Sequence, residues 1–225
     1  VTQPEVVTAG PELLARAAEL ADSGSRRLLG VAGPPGAGKS TLGSWLVDSL
    51  GPERAVLVPM DGFHLADVEL HRLGRSDRKG APDTFDAYGY SALLRRLRTP
   101  RAGETVYAPA FDRELEQPVA GSLPVPPEVP LVVTEGNYLL LDEPEWRPVR
   151  QLLDVCWWLG LDETTRVERL IARHVRFGKS PAEAASWVHR SDEANARLIA
   201  PVRERADLVV EMAPGNVPGC SSQEP

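Results

Sequence analysis

The segment Gly33-Pro34-Pro35-Gly36-Ala37-Gly38-Lys39-Ser40 constrains this chain more than any other. It meets every fixed position of the pattern G-x-x-x-x-G-K-[ST], a match that a chain of this length produces by chance only about 1% of the time. Its surroundings suit it. An apolar run at 28–32 leads in, and Leu42, Trp45, Leu46 and Leu50 follow at the spacing of one helical face until Gly51-Pro52 stops them. A strand, a glycine-rich turn and a helix in that order call for a sheet with the helix laid back over it. The glycines let successive backbone N–H groups turn toward phosphate oxygens. The helix N-terminus adds partial positive charge. Gly33, Pro34, Pro35, Gly36, Ala37, Gly38, Lys39, Ser40 and Thr41 are therefore the candidate cradle for nucleotide phosphates. Lys39 would reach the β- and γ-phosphates and Ser40 would ligate Mg²⁺. Thr41 either touches the α-phosphate or only caps the helix.

The rest of the chain continues the alternation. Leu13, Leu14, Ala17, Leu20 and Ala21 have helix spacing, as do Leu93, Leu94 and Leu97, and again Val167, Leu170, Ile171 and Val175. Residues 55–60, 131–134, 155–161 and 208–210 read as strands. Ser180-Pro181-Ala182-Glu183 opens another helix that runs toward Ile199, with Ser180 as N-cap, Pro181 at the first position and Glu183 closing a capping box. Short buried strands between helices predict an α/β three-layer sandwich, a five-stranded, mainly parallel sheet with helices on both faces. The 225 residues, 42% of them hydrophobic, suffice for one full core without staples, so a single domain over 1–212 is expected. Residues 102–130, with Pro109, Pro118, Pro124, Pro126 and Pro127, break the pattern and read as an inserted loop or hairpin. Residues 1–10 read as loosely ordered, and 213–225 as a flexible tail.

The net charge of −7 makes the chain a poor counter-surface for nucleic acid or an anionic membrane, and neither is expected as a partner. No apolar run approaches the ~20 residues of a membrane span, and Val-Thr-Gln-Pro-Glu lacks a signal-peptide pattern. Cys156 and Cys220 form neither a disulfide framework nor a zinc spacing. A cytoplasmic protein with reduced thiols is the expectation.

In sheets of this kind ligands gather at the carboxyl ends of the strands. Asp61 and Glu135 each follow a strand there. Phosphoryl transfer to an alcohol needs a proton acceptor and a group that holds Mg²⁺ or its waters. Asp61 is the candidate base and Glu135 the candidate metal-side acid, although Asp-Gly is also a common turn pair. His64 either binds substrate or caps the turn. Arg169, Arg173 and Arg176 share a helix face. They form either a clamp on the transferring phosphoryl group or a solvated basic face. Lys39, Asp61, Arg173 and Arg176 are the catalytic candidates, and Gly178 reads as the hinge of a lid over 166–180. No Asn-Lys-x-Asp stretch supports a GTPase switch. A catalytically idle nucleotide-binding regulatory module remains an alternative.

Five segments occur in order: the Gly33 to Ser40 loop, Met60-Asp61-Gly62-Phe63-His64, Arg78-Lys79-Gly80-Ala81-Pro82-Asp83-Thr84-Phe85-Asp86, Tyr107-Ala108-Pro109-Ala110-Phe111-Asp112-Arg113, and Thr134-Glu135-Gly136-Asn137-Tyr138. Together they resemble the phosphoribulokinase/uridine kinase superfamily of P-loop kinases. The nearest likeness is to its bacterial pantothenate-kinase-like branch, whose members are often labelled nucleoside/nucleotide kinase or fructose-transport kinase. The resemblance spans about residues 25–212. It implies a P-loop NTPase fold, Asp61 as base for the acceptor hydroxyl and Glu135 on the metal. It implies an acceptor pocket lined by 79–86 and 107–113, which makes His64, Lys79, Asp83, Tyr107 and Arg113 the substrate-binding candidates. It further implies ATP, Mg²⁺ and a small-molecule hydroxyl acceptor of sugar, nucleoside or pantothenate-like type, with a uridine/nucleoside kinase as the narrower alternative. A homodimer is left open.

Overall fold

Strand β2 (Arg27–Ala32) leads into the glycine-rich loop and is buried from Leu28 onward. Its side chains alternate: Leu28 and Ala32 join one core layer, Leu29 and Val31 the other. A strand apolar on both faces belongs in the interior of a parallel sheet. Accordingly β6 (Leu131–Gly136) flanks it on one side and β7 (Val155–Gly160) on the other, both parallel. With β1 (Glu5–Thr8), β3 (Ala55–Leu57) and β8 (Leu208–Glu211), the order is β1-β8-β7-β2-β6-β3, every pairing parallel. This computed structural model describes residues 4–212; the tail expected over 213–225 lies outside the described residues.

The sheet has six strands rather than the expected five. The addition is β1, inside the segment read as loosely ordered. Glu5–Thr8 pairs with β8 at the sheet edge and stays mostly exposed, so it lacks the apolar run that marks an inner strand. The strand expected over 55–60 stops pairing at Leu57. Pro59 has no N–H for a ladder, and the chain turns at Met60–Phe63 in a single 3₁₀ turn that carries Asp61.

Helices α1 (Pro11–Ala21) and α2 (Lys39–Leu50) bring Leu13, Ala17, Leu42 and Leu46 onto Leu29, Val31 and Trp157. On the opposite face, α4 (Ala87–Arg98) and α5 (Arg147–Leu152) bring Tyr90, Leu94, Leu97 and Val149 onto Leu28, Val132 and Trp158. Neighbouring tryptophans thus serve opposite layers, as strand alternation requires. Each fully buried Leu contributes roughly 1.5–3 kcal/mol.

The 102–130 segment forms an antiparallel hairpin, β4 (Val106–Asp112) with β5 (Gln117–Val125). It packs on the Asp61 turn so closely that a Cβ on Gly62 would meet the Pro109 carbonyl oxygen at 2.3 Å. Short helix α3 (Asp67–Arg72) lies beside that turn. After β7 come α6 (Glu163–Arg176), α7 (Pro181–Trp187) and α8 (Glu193–Ile199). The Ser180–Glu183 capping box is formed on both sides. The helix expected from Pro181 does reach Ile199, but through a π turn at Val188–Asp192 that leaves Ser191, Asp192 and Glu193 buried.

Candidate active site

The loop after β2 turns through Gly36 and Gly38, at φ +81° and +97°, a region that favours glycine. It delivers Lys39 into the first turn of α2 with only 8% exposure. Lys39 Nζ donates to the Pro34 carbonyl at 3.0 Å and to Asn137 Oδ1 at 2.7 Å. Burial pulls its pKa down to about 8, against the opposing pull of Glu135 and Asp61. Ser40 Oγ donates to Glu135 Oε1 at 2.9 Å. Glu135 is 5% exposed at the end of β6. Burial, and then the Asp61 charge, push its carboxyl above the ordinary range.

These residues fit a hard divalent cation. A buried carboxylate beside a serine hydroxyl, with a second carboxylate raising its proton affinity, is an oxygen-donor site short of positive charge. Among the described residues no group of three or more acids, histidines or cysteines forms a cage for a metal.

Asp61 faces the same cleft, of about 600 Å³, together with Pro35, Gly36, Lys39, Ser40 and Glu135. Arg113 Nη2 pairs with Asp61 Oδ2 at 3.0 Å. His64 lies against Phe85 and Phe111 at tilted angles, with ring centroids 4.0 and 4.8 Å away. Burial holds its imidazole below the ordinary value, and Nδ1–H donates to the Asp61 carbonyl oxygen at 2.8 Å. Lys79 lines the cleft too, reaches Asp67 at 2.7 Å and lies 5.5 Å from the Phe111 ring centroid.

Of the other candidates, Arg173 lines the same cleft and the rest lie outside it. Tyr107 is 59% exposed and turned away from the cleft, whereas Phe111, four residues on, lines it. Between the two rings the pairing with β5 shifts register, from Ala108 opposite Leu123 to Ala110 opposite Val119. Asp83 binds Arg78 at 2.9 Å and Arg75 at 3.3 Å, fastening the 75–83 turn without lining the cleft. Arg169 and Arg173 border the groove beside Gly36, Gly38 and Thr41, while Arg176, the last residue of α6, does not.

Three residues not among the site candidates also shape the site. Arg166 is 4% exposed, pairs with Glu193 at 2.5 Å and donates to the Pro35 carbonyl at 3.3 Å, bracing the loop from α6 and α8. Asn137 holds Lys39. Asn195 of α8 lines the far wall.

The family model described as "Phosphoribulokinase / Uridine kinase family" matches residues 28–217. "Putative uridine kinase C227.14" of Schizosaccharomyces pombe is 34% identical over 215 residues, covering 91% of each chain. "ATP-dependent kinase-like protein notR'" of Aspergillus versicolor is 37% identical over 166 residues, 70% of this chain and 94% of that one. Among solved structures, a "putative fructose transport system kinase" from Silicibacter sp. TM1040 superposes with a TM-score of 0.78 at 37% identity, covering 88% of this chain and 98% of that one. No helix among the described residues is long and apolar enough to cross a membrane. With most of its length matched and its loop, acids and sheet in one arrangement, the chain belongs to the phosphoribulokinase/uridine kinase family of P-loop kinases.

Proposed function

We propose that the protein transfers the γ-phosphoryl group of ATP to a hydroxyl of a small polar metabolite. The observation that carries this is the convergence of Lys39, Ser40, Glu135 and Asp61 on one cleft. Arg113 holds Asp61 Oδ2, and among the described residues none bonds Oδ1, so Oδ1 can accept the proton of an acceptor hydroxyl. The hydroxyl oxygen then bonds to the γ-phosphorus as the bond to the β-phosphate oxygen breaks, and ADP leaves. Lys39 and Arg173 neutralise charge on the transferring group, and the loop N–H groups hold the β-phosphate. Glu135 and Ser40 would hold Mg²⁺, which would offset the negative charge of the phosphates.

The aromatic wall of Phe85, His64 and Phe111, with Lys79 and Arg113 at its edge, suits a flat or polyhydroxyl acceptor. A nucleoside acceptor is the narrower reading, supported by the name of the fission-yeast relative. The test is ADP release with MgATP against nucleosides, ketoses, sugar phosphates, pantothenate and glycerate, with product mass measured. Acceptor-dependent ADP release that disappears in Asp61→Asn supports the reading. Nucleotide binding without transfer to any of them favours a regulatory module instead.

A further inference from the structure

The groove beside Gly36, Gly38 and Thr41 follows the phosphate loop, whereas the cleft that holds Asp61 is also lined by His174, Asp192 and Asn195. The proposed phosphoryl transfer gives these three nothing to do. Asp192 is the last residue of the π turn, a distortion that re-aims side chains and is frequent at functional sites. Its neighbour Glu193 turns to Arg166, while Asp192 turns to the cleft.

Asp192 is only 8% exposed. His174 Nε2–H donates to its Oδ2 at 2.9 Å. Asn195, three residues on and so on the same helix face, is 6% exposed and donates from Nδ2 to the Gly80 carbonyl at 3.2 Å. Among the described residues none donates to Asp192 Oδ1 or Asn195 Oδ1, and no buried side-chain oxygen or nitrogen lacks a partner. The two oxygens are therefore open, and the cleft is what they open onto.

Both open atoms accept hydrogen bonds and donate none. A ligand that displaces water from them must bring O–H or N–H groups, because an acceptor left unpaired costs its full desolvation. A carboxylate or phosphate in that place would meet the Asp192 charge instead. The cations of the cleft offer such an anion little: Lys79 spends two of its three hydrogens on Asp67 Oδ1 and the Glu116 carbonyl, at 2.7 and 2.6 Å, and Arg113 pairs with Asp61. Lys179, 5.2 Å from the Trp187 ring centroid, is the cation an anionic end would have to use.

We propose that Asp192 and Asn195 are specificity-determining residues that read the non-reacting hydroxyls of an uncharged polyol acceptor, with His174 as the positioning residue that aims Asp192. This rests on the kinase reading above.

The experiment is steady-state kinetics of the full chain with MgATP. The uncharged probes are fructose, ribose and uridine; the anionic ones are fructose 6-phosphate, ribulose 5-phosphate, pantothenate and glycerate. Transfer should favour the uncharged set. With the best of that set, Asp192→Ala and Asn195→Ala should each raise KM about tenfold or more, keep kcat within about threefold and leave MgATP affinity by calorimetry unchanged. His174→Ala should raise KM likewise, and His174→Gln, whose amide can donate in place of Nε2, should restore it. At least one analogue of that acceptor lacking a single hydroxyl should lose about tenfold in kcat/KM with wild type and nothing further with Asp192→Ala or Asn195→Ala. If an alanine variant melts early, Asp192→Asn keeps the shape without the charge and should still raise KM. Transfer at least as efficient to an anionic probe, unchanged KM in the Asp192 and Asn195 variants, or a hydroxyl penalty as large in both variants as in wild type overturns the proposal and leaves the kinase reading standing. Transfer to none of the probes overturns the kinase reading, and the proposal with it.

Discussion

Lys39 is nearly fully buried, and burial lowers its pKa from 10.5 to about 8. In an unfolded chain the same amine keeps its ordinary value. Between pH 8 and 10.5 the unfolded state therefore binds more protons than the native one, and stability rises with pH across that window. Below it the native state carries the whole penalty of the buried charge, about 3 kcal/mol for a fall of this size. Lys39→Met removes the charge at similar length. It also strips the donor from Asn137 Oδ1 and the Pro34 carbonyl, which costs about 1–3 kcal/mol. The two effects nearly offset at neutral pH, so the diagnostic quantity is the pH dependence of the difference. The stability of the variant minus that of wild type should fall by about 3 kcal/mol from neutral pH to about pH 11. Urea unfolding of both proteins in chelator without nucleotide gives that difference, and other titrating groups cancel. Calorimetry should show MgATP binding lost in the variant. Stability differences that stay parallel within about 1 kcal/mol across the range would refute the idea that the ammonium is held against a desolvation penalty.

Asp61→Asn should keep MgATP affinity while kcat falls about 10²-fold or more, measured by steady-state kinetics with the acceptor found in the ADP-release screen. Glu135→Gln should move half-maximal activity to higher Mg²⁺; a titration that overlies wild type would count against a metal-side role. Arg173→Ala should lower kcat far more than ATP affinity, and the opposite split would make it a ground-state contact only. Glu193→Gln leaves the Arg166 charge buried without its partner, whose side chains are 5% and 10% exposed in the pair, so urea unfolding should show a loss of about 3–5 kcal/mol. The combined Arg166→Met and Glu193→Leu variant should recover most of it, and an equal loss there would point to packing rather than charge.

The phosphate loop was legible because its chemistry demands fixed residues in consecutive positions. Asp61 and Glu135 were legible because strand ends can be found from apolar runs, and a carboxylate at such an end stands out. Asn137 carries no charge and no periodicity; only the fold shows that it reaches Lys39. Arg166 and Glu193 are separated by the rest of α6, by α7 and by a π turn, so their pairing follows from packing that no local pattern encodes. Tyr107 and Phe111 share parity along one strand, yet Tyr107 is exposed and Phe111 lines the cleft, with a shift of pairing register between them. Edge strand β1 buries too little to leave a trace in composition.

The contact between Gly36 and α6 bears on timing. A Cβ at Gly36 would meet the Leu170 side chain at 2.7 Å and the Arg166 carbonyl at 2.9 Å, so the first two turns of α6 rest directly on the phosphate loop. Arg173 lies three residues past Leu170, about 4.5 Å farther along the axis at 1.5 Å per residue. So short an arm has little room to swing. The guanidinium must cover its distance to a phosphate by its own bond rotations, which take picoseconds to nanoseconds rather than the microseconds to milliseconds of a moving segment. Under the proposed kinase reading, any slower rearrangement would fall to the other side of the cleft, where Lys79, Gly80 and Phe111 stand.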